Sequence, residues 1–235
     1  MTRAGNVVAV LVFSLLFVGV GHATAEPVVI GQPGTGGNCV PFGCLGGDVT
    51  SEAIRYQQVY NSTNFASPFV ISQIDFYEFL DPETGSGQLA SGTYHIYLST
   101  TARPVGGLDD VDFDSNLGAD NALFATLSLT GGTSSPVLSI VGTPFLYNPA
   151  AGNLLLDIVI PAGAIGDSPF PAFFQSHNGT AGQLFSRVSN SAIGTVGYGL
   201  VTGFNSDVAP VPEPTSVLLV GTGVALIGRR RRRID

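Results

Sequence analysis

Tryptophan and lysine do not occur in this 235-residue sequence, cysteine occurs twice, and charged residues make up only 11% of it. Each scarcity narrows what the chain can do. Without lysine the cationic side chains are arginines, and six of the nine (Arg3 and Arg229 to Arg233) lie at the two ends. Residues 26–208 keep Arg55, Arg103 and Arg187 against fifteen acids, a formal charge of −12. Such a surface makes nucleic acid and anionic membranes poor partners, and cations or neutral polysaccharides better ones. The missing tryptophan leaves any sugar-stacking face to other rings, with Tyr97 and Phe173 as candidates. Two cysteines cannot make a zinc site without two further ligands, and neither His95 nor His177 has an adjacent companion. No nucleophile elbow, HExxH pair, phosphate loop or dinucleotide fingerprint appears, so no enzyme is expected. Spacing in sequence does not reveal a Ser-His-Asp set or paired carboxylates assembled in space.

Long apolar runs occur at the two ends. In residues 1–25, Arg3 precedes the uncharged run Val7 to Val20, and Ala23-Thr24-Ala25 puts small residues where a signal peptidase requires them. This order predicts a secretory signal peptide cleaved before Glu26. A transmembrane helix would need a longer run. Residues 209–235 open with Val211-Pro212-Glu213-Pro214, continue through the apolar stretch 215–228, and end in Arg229, Arg230, Arg231, Arg232 and Arg233. The thirteen uncharged residues Ser216 to Gly228 would span roughly 20 Å as a helix, short of the ~30 Å hydrocarbon core. Their Val, Leu and Ile residues supply about −3 kcal/mol of insertion free energy, so the span is marginal. The arginine block keeps the C-terminus cytoplasmic and puts the body on the other side. Pro212 and Pro214 hold the approach extended and separate it from the helix.

This composite resembles the PEP-CTERM sorting signal of exported bacterial proteins. The resemblance covers about a tenth of the chain. It implies an exosortase as processing partner, transient residence in the inner membrane, and display or release outside. The alternative is an ordinary single-span anchor, which would normally be longer.

Residues 26–208 read as one all-β domain of nine or ten strands, an antiparallel sandwich or jelly roll. Ala53 to Tyr60 is one strand. Phe69 to Leu80 alternates, with Val70, Ile74, Phe76 and Leu80 on one face and Gln73, Asp75 and Tyr77 on the other. A turn follows over 81–87. Tyr94, Ile96 and Leu98 point inward, with Thr93, His95, Tyr97 and Ser99 outward. Leu123, Ala125, Leu127 and Leu129 form another inward face, and Leu154, Leu156, Ile158 and Ile160 a fourth. Further strands are expected over 137–141, 170–175, 184–188 and 195–201. Three segments (Gln58 to Ser62, Gly92 to Thr101 and Tyr147 to Asp157) are similar to exported PEP-CTERM β-domains of unknown function, which implies a fold and association with extracellular polymer but no activity.

Cys39 and Cys44 are expected to form a local disulfide, as is usual in an exported protein. Closing so short a loop stabilises by about 2 kcal/mol. The densest chemistry lies at Asp109 to Asn121. If that segment is extended, Asp110, Asp112 and Asp114 share one face and could hold calcium, although it is not an EF-hand. Otherwise it is a solvated acidic loop. His95 is expected to be solvated on a strand, and His177 to lie in a turn over 175–179. The expected function is that of a structural or adhesive protein of the cell surface or extracellular matrix, with no required cofactor. The alternatives are a carbohydrate-binding module and a secreted hydrolase.

Overall fold

The computed structural model describes residues 27–34, 36–45, 50–80, 87–133, 135–166, 170–178, 184–196 and 198–205. Thirteen strands occur among them: β1 Val28–Ile30, β2 Gly37–Asn38, β3 Ile54–Tyr60, β4 Phe69–Tyr77, β5 Gly92–Thr101, β6 Ala122–Leu129, β7 Val137–Tyr147, β8 Asn153–Ile160, β9 Phe174–Asn178, β10 Phe185–Ser189, β11 Ala192–Val196, β12 Tyr198–Leu200 and β13 Thr202–Asn205. The strands beyond the expected ten are pieces of two to four residues, too short to show alternation. The expected strand over 195–201 divides after Val196, because β11 pairs with β10 while β12 pairs with β9 in another sheet. The fourteen-residue run at the N-terminus and the C-terminal tail lie outside the described residues. Among those described, no helix is long and apolar enough to cross a membrane.

All named strand pairs are antiparallel. One sheet has six strands in the order β11-β10-β3-β8-β5-β6, a second has four in the order β1-β13-β4-β7, and a third has three in the order β12-β9-β2. β8 lies in the middle of the six-stranded sheet, which explains why Leu154, Leu156, Ile158 and Ile160 are all fully buried. Tyr94, Ile96 and Leu98 on β5 are likewise fully buried.

Aromatic rings cross between the sheets. Tyr60 of the six-stranded sheet meets Phe204 of the four-stranded sheet edge to face at 5.0 Å, and its hydroxyl lies 2.8 Å from Thr202 Oγ1. Gln58 ties in the third sheet: its Nε2 donates to the Leu200 carbonyl and its Oε1 accepts from the Leu200 N–H. The Cys39–Cys44 disulfide closes a loop that pushes Phe42 into the core. There the ring lies 4.8 Å from Phe76, 5.2 Å from Phe174 and 5.8 Å from Tyr94. Such aromatic pairs add about 0.5–1.5 kcal/mol each beyond their buried area.

Two bulges overturn part of the expected alternation. On β4 the register shifts between Ile71 and Gln73, where Ser72 alone stands against Gly142, Thr143 and Pro144 of β7. Ile71 therefore turns inward and Val70 outward. On β6 Phe124 is the extra residue between the partners of Ile96 and Tyr97, so Phe124 is buried and Leu123 exposed. The two bulges touch. A Cβ on Gly142 would lie 2.5 Å from the Phe124 ring and carbonyl oxygen, so only glycine lets these edge strands approach. Leu80 lies beyond the end of β4 and is exposed.

Candidate functional site

The acidic segment joins β5 to β6 and lies against the outer face of the six-stranded sheet. Asp109 Oδ1 accepts the N–H groups of Val111 and Asp112, which turns the chain. Those bonds hold the Asp109 carboxyl below its usual range. Asp112 then caps a short 3₁₀ turn, Phe113–Asn116, by accepting the Ser115 N–H. Phe113 and Asn116 are buried against the sheet. Asn116 Nδ2 donates to Gln57 Oε1 at 2.7 Å, and Gln57 Nε2 donates to the Phe113 carbonyl at 3.0 Å. Arg103 clamps the turn through Ser115.

The extended arrangement that would align Asp110, Asp112 and Asp114 is therefore absent. Asp114 Oδ1 accepts from Arg55 Nη1 at 2.6 Å, Asp112 serves the 3₁₀ turn, and Asp110 is exposed. Among the described residues no group of three or more metal-ligating side chains converges. The calcium expectation assumed an extended segment, and the turn removes that premise.

Arg55 joins this loop to the sheet. Its Nε and Nη2 donate to the two oxygens of Asp157 at 2.9 and 2.8 Å. The Asp157 side chain is almost wholly buried and that of Asp114 almost wholly exposed. Burial opposes the Arg55 charge, but hydrogen bonds to Asp157 and Asp114 outweigh it and hold the guanidinium above its ordinary range.

A second polar cluster lies on the outer face of the four-stranded sheet. Alternation along β4 sends Gln73, Asp75 and Tyr77 to this side while Ile74 and Phe76 enter the core. The register sets Asp75 opposite Gly203 and Gln73 opposite Asn205. Asp75 is only 8% exposed although it faces the solvent side. Its Oδ1 accepts from Gln73 Nε2 at 2.8 Å, and its Oδ2 accepts from Asn205 Nδ2. Tyr77 reclines across the sheet toward β13: a Cβ on Gly203 would lie 2.5 Å from the Tyr77 hydroxyl oxygen. Partial burial, and then the nearby Asp75 charge, raise the Tyr77 hydroxyl pKa. The cluster presents an aromatic ring beside a carboxylate and two amides. Its β4 members are legible as an outward face in sequence. Gly203 and Asn205 join from about 130 residues away, and no local pattern marks them.

The remaining expected positions are scattered. Tyr97 is half-buried on β5, opposite Asp157 on β8, whereas Phe173 is exposed beside Gly37. His95 lies on the outward side of β5 with Nδ1 3.1 Å from Thr126 Oγ1. His177 is in strand β9 rather than a turn; it is buried against Phe185 and accepts the Gln32 N–H at Nδ1. Ser99 is on the outward side of β5 as well, but the loop buries it: its Oγ accepts the Gly118 N–H. Ala23, Ala25 and Glu26, the motif Val211 to Pro214, and Arg229 to Arg233 lie outside the described residues.

No curated protein and no solved structure matches the chain. A family model, the PEP-CTERM protein-sorting motif, matches residues 210–233. The chain thus carries the sorting motif that indicates an exported protein processed by an exosortase.

Proposed function

We propose that the protein is made with a cleavable signal peptide, held briefly in the inner membrane by its tail, and then displayed or released outside. Its body is a β-sandwich that works as a structural or adhesive component of the cell surface or extracellular polymer. The observation that carries this reading is the sorting motif at 210–233 behind an all-β body. The internal use of charge also supports it. Arg55, Asp114 and Asp157 fasten a long loop to a sheet, and Glu78, just past the end of β4, accepts from Thr133. These groups hold the scaffold together.

Intact mass of the mature protein, fraction by fraction from its host, tests the proposal. A species that starts at Glu26 and ends near Pro212-Glu213-Pro214 is expected. Replacing those three residues by alanine should leave unprocessed protein in the inner membrane. Full-length C-termini in the wild type, or normal processing of the alanine variant, would overturn the sorting role.

A second reading, a carbohydrate-binding module, gains support from the Tyr77–Asp75 cluster.

A further inference from the structure

We propose that the outer face of the four-stranded sheet binds an uncharged polysaccharide, with Tyr77 as the stacking platform and Asp75 as the hydroxyl acceptor. The inference deepens the adhesive reading and rests on it.

Tyr77 lies over Gly203, so its ring lies along the sheet instead of standing away from it. The hydroxyl end of the ring rests over the β13 backbone while Tyr77 stays partly exposed, so part of the ring is left for the apolar face of a sugar. No Cβ can occupy Gly203 without displacing the phenol, so the glycine keeps the platform down. Around it the sheet is open: Val29 is 42% and Val141 69% exposed, and Ser139, opposite Asp75 on β7, is exposed.

Chemistry then selects the ligand. Asp75 is a buried carboxylate held by two amides, and no ion pair among the described residues includes it. Each carboxylate oxygen has capacity for more than one donor, so hydroxyl groups can add to the amides already present. Gln73 and Asn205, opposite each other in the neighbouring row of the same face, each bring an amide oxygen beside it. Anchoring β13 to β4 would need only neutral side chains, because an unpaired carboxylate costs desolvation that an amide avoids. A fixed acceptor beside a flat ring matches an alcohol-rich ligand. Charge excludes the anionic alternative: residues 26–208 carry −12 formally, and this face holds an acid and no arginine.

Affinity electrophoresis of the mature protein through gels containing hydroxyethylcellulose, dextran, galactomannan or alginate tests the site. Retardation by at least one of the three neutral polymers is expected. Tyr77→Ala and Gly203→Ala should weaken it about tenfold, on the scale of one lost stacking contact. Tyr77→Phe should retain it, and Asp75→Asn should lose it at an unchanged melting temperature. No retardation by any neutral polymer, or retardation by alginate alone, overturns the proposal. Equal retardation of Tyr77→Ala and wild type moves binding elsewhere and leaves the adhesive reading standing. Correct export without any polymer binding would likewise sink this site but not the sorting reading.

Discussion

Arg187 lies 4.4 Å from the centre of the Tyr198 ring, and its Nε and Nη1 are buried without a hydrogen-bond partner. It sits on β10 opposite Gln58. The Tyr56 ring centre is 5.9 Å from the same guanidinium. Two rings give a guanidinium some attraction, up to about 2 kcal/mol when desolvated. Burying it without an anion costs several kcal/mol.

Arg187→Met should therefore raise stability, by about 1–3 kcal/mol, because it keeps the volume and removes a buried charge that no carboxylate among the described residues pairs. Urea unfolding checks this. A lower midpoint would mean that the ring contacts outweigh the desolvation.

Arg55 should behave in the opposite way. Arg55→Met leaves Asp157 buried and uncompensated, and should cost about 3 kcal/mol. Asp114→Asn removes an exposed partner and should cost under about 1 kcal/mol. Equal losses in urea unfolding would show that Asp157 is not the main anchor.

Phe42 enters the core on a disulfide-closed loop. Phe42→Ala should cost about 3–5 kcal/mol. Cys39→Ser with Cys44→Ser should cost about 2 kcal/mol, since the loop is short. A larger loss for the double serine variant would mean that the disulfide does more than close the loop.

Alkali should unfold the protein through its tyrosines. Burial raises Tyr56 to about 12, and Tyr60, Tyr94 and Tyr147 are raised too. A raised folded value means stability is full below the unfolded value near 10 and falls as pH rises above it. Tyr56 alone accounts for about 2–3 kcal/mol of that loss. Urea midpoints from pH 8 to 12, followed with phenolate absorbance, should fall only above about pH 10. A fall beginning near pH 8 would implicate other groups.

Calcium should leave the melting temperature unchanged, because Asp112 already accepts the Ser115 N–H and Asp114 already pairs with Arg55. A rise of several degrees that a chelator reverses would mean the loop reorganises around the ion.

Local patterns in the sequence determined much of this protein. Apolar alternation marked Tyr94 to Leu98 and Leu154 to Ile160 as buried faces, and the order of parts in the tail marked the sorting motif. Both depend on near neighbours, so one chain shows them. Tertiary structure decided the rest. The bulges that turn out Val70 and Leu123 arise from pairing with partner strands, not from the strands themselves. Arg187 reads in sequence as one more surface charge, yet β10 turns it inward. Asp110 to Asp114 read as a row of ligands until Arg55, about 60 residues earlier, took one of them. Tyr77 became a platform only when Gly203 arrived beside it on β13. Long-range register decides such meetings, and no spacing along the chain encodes it.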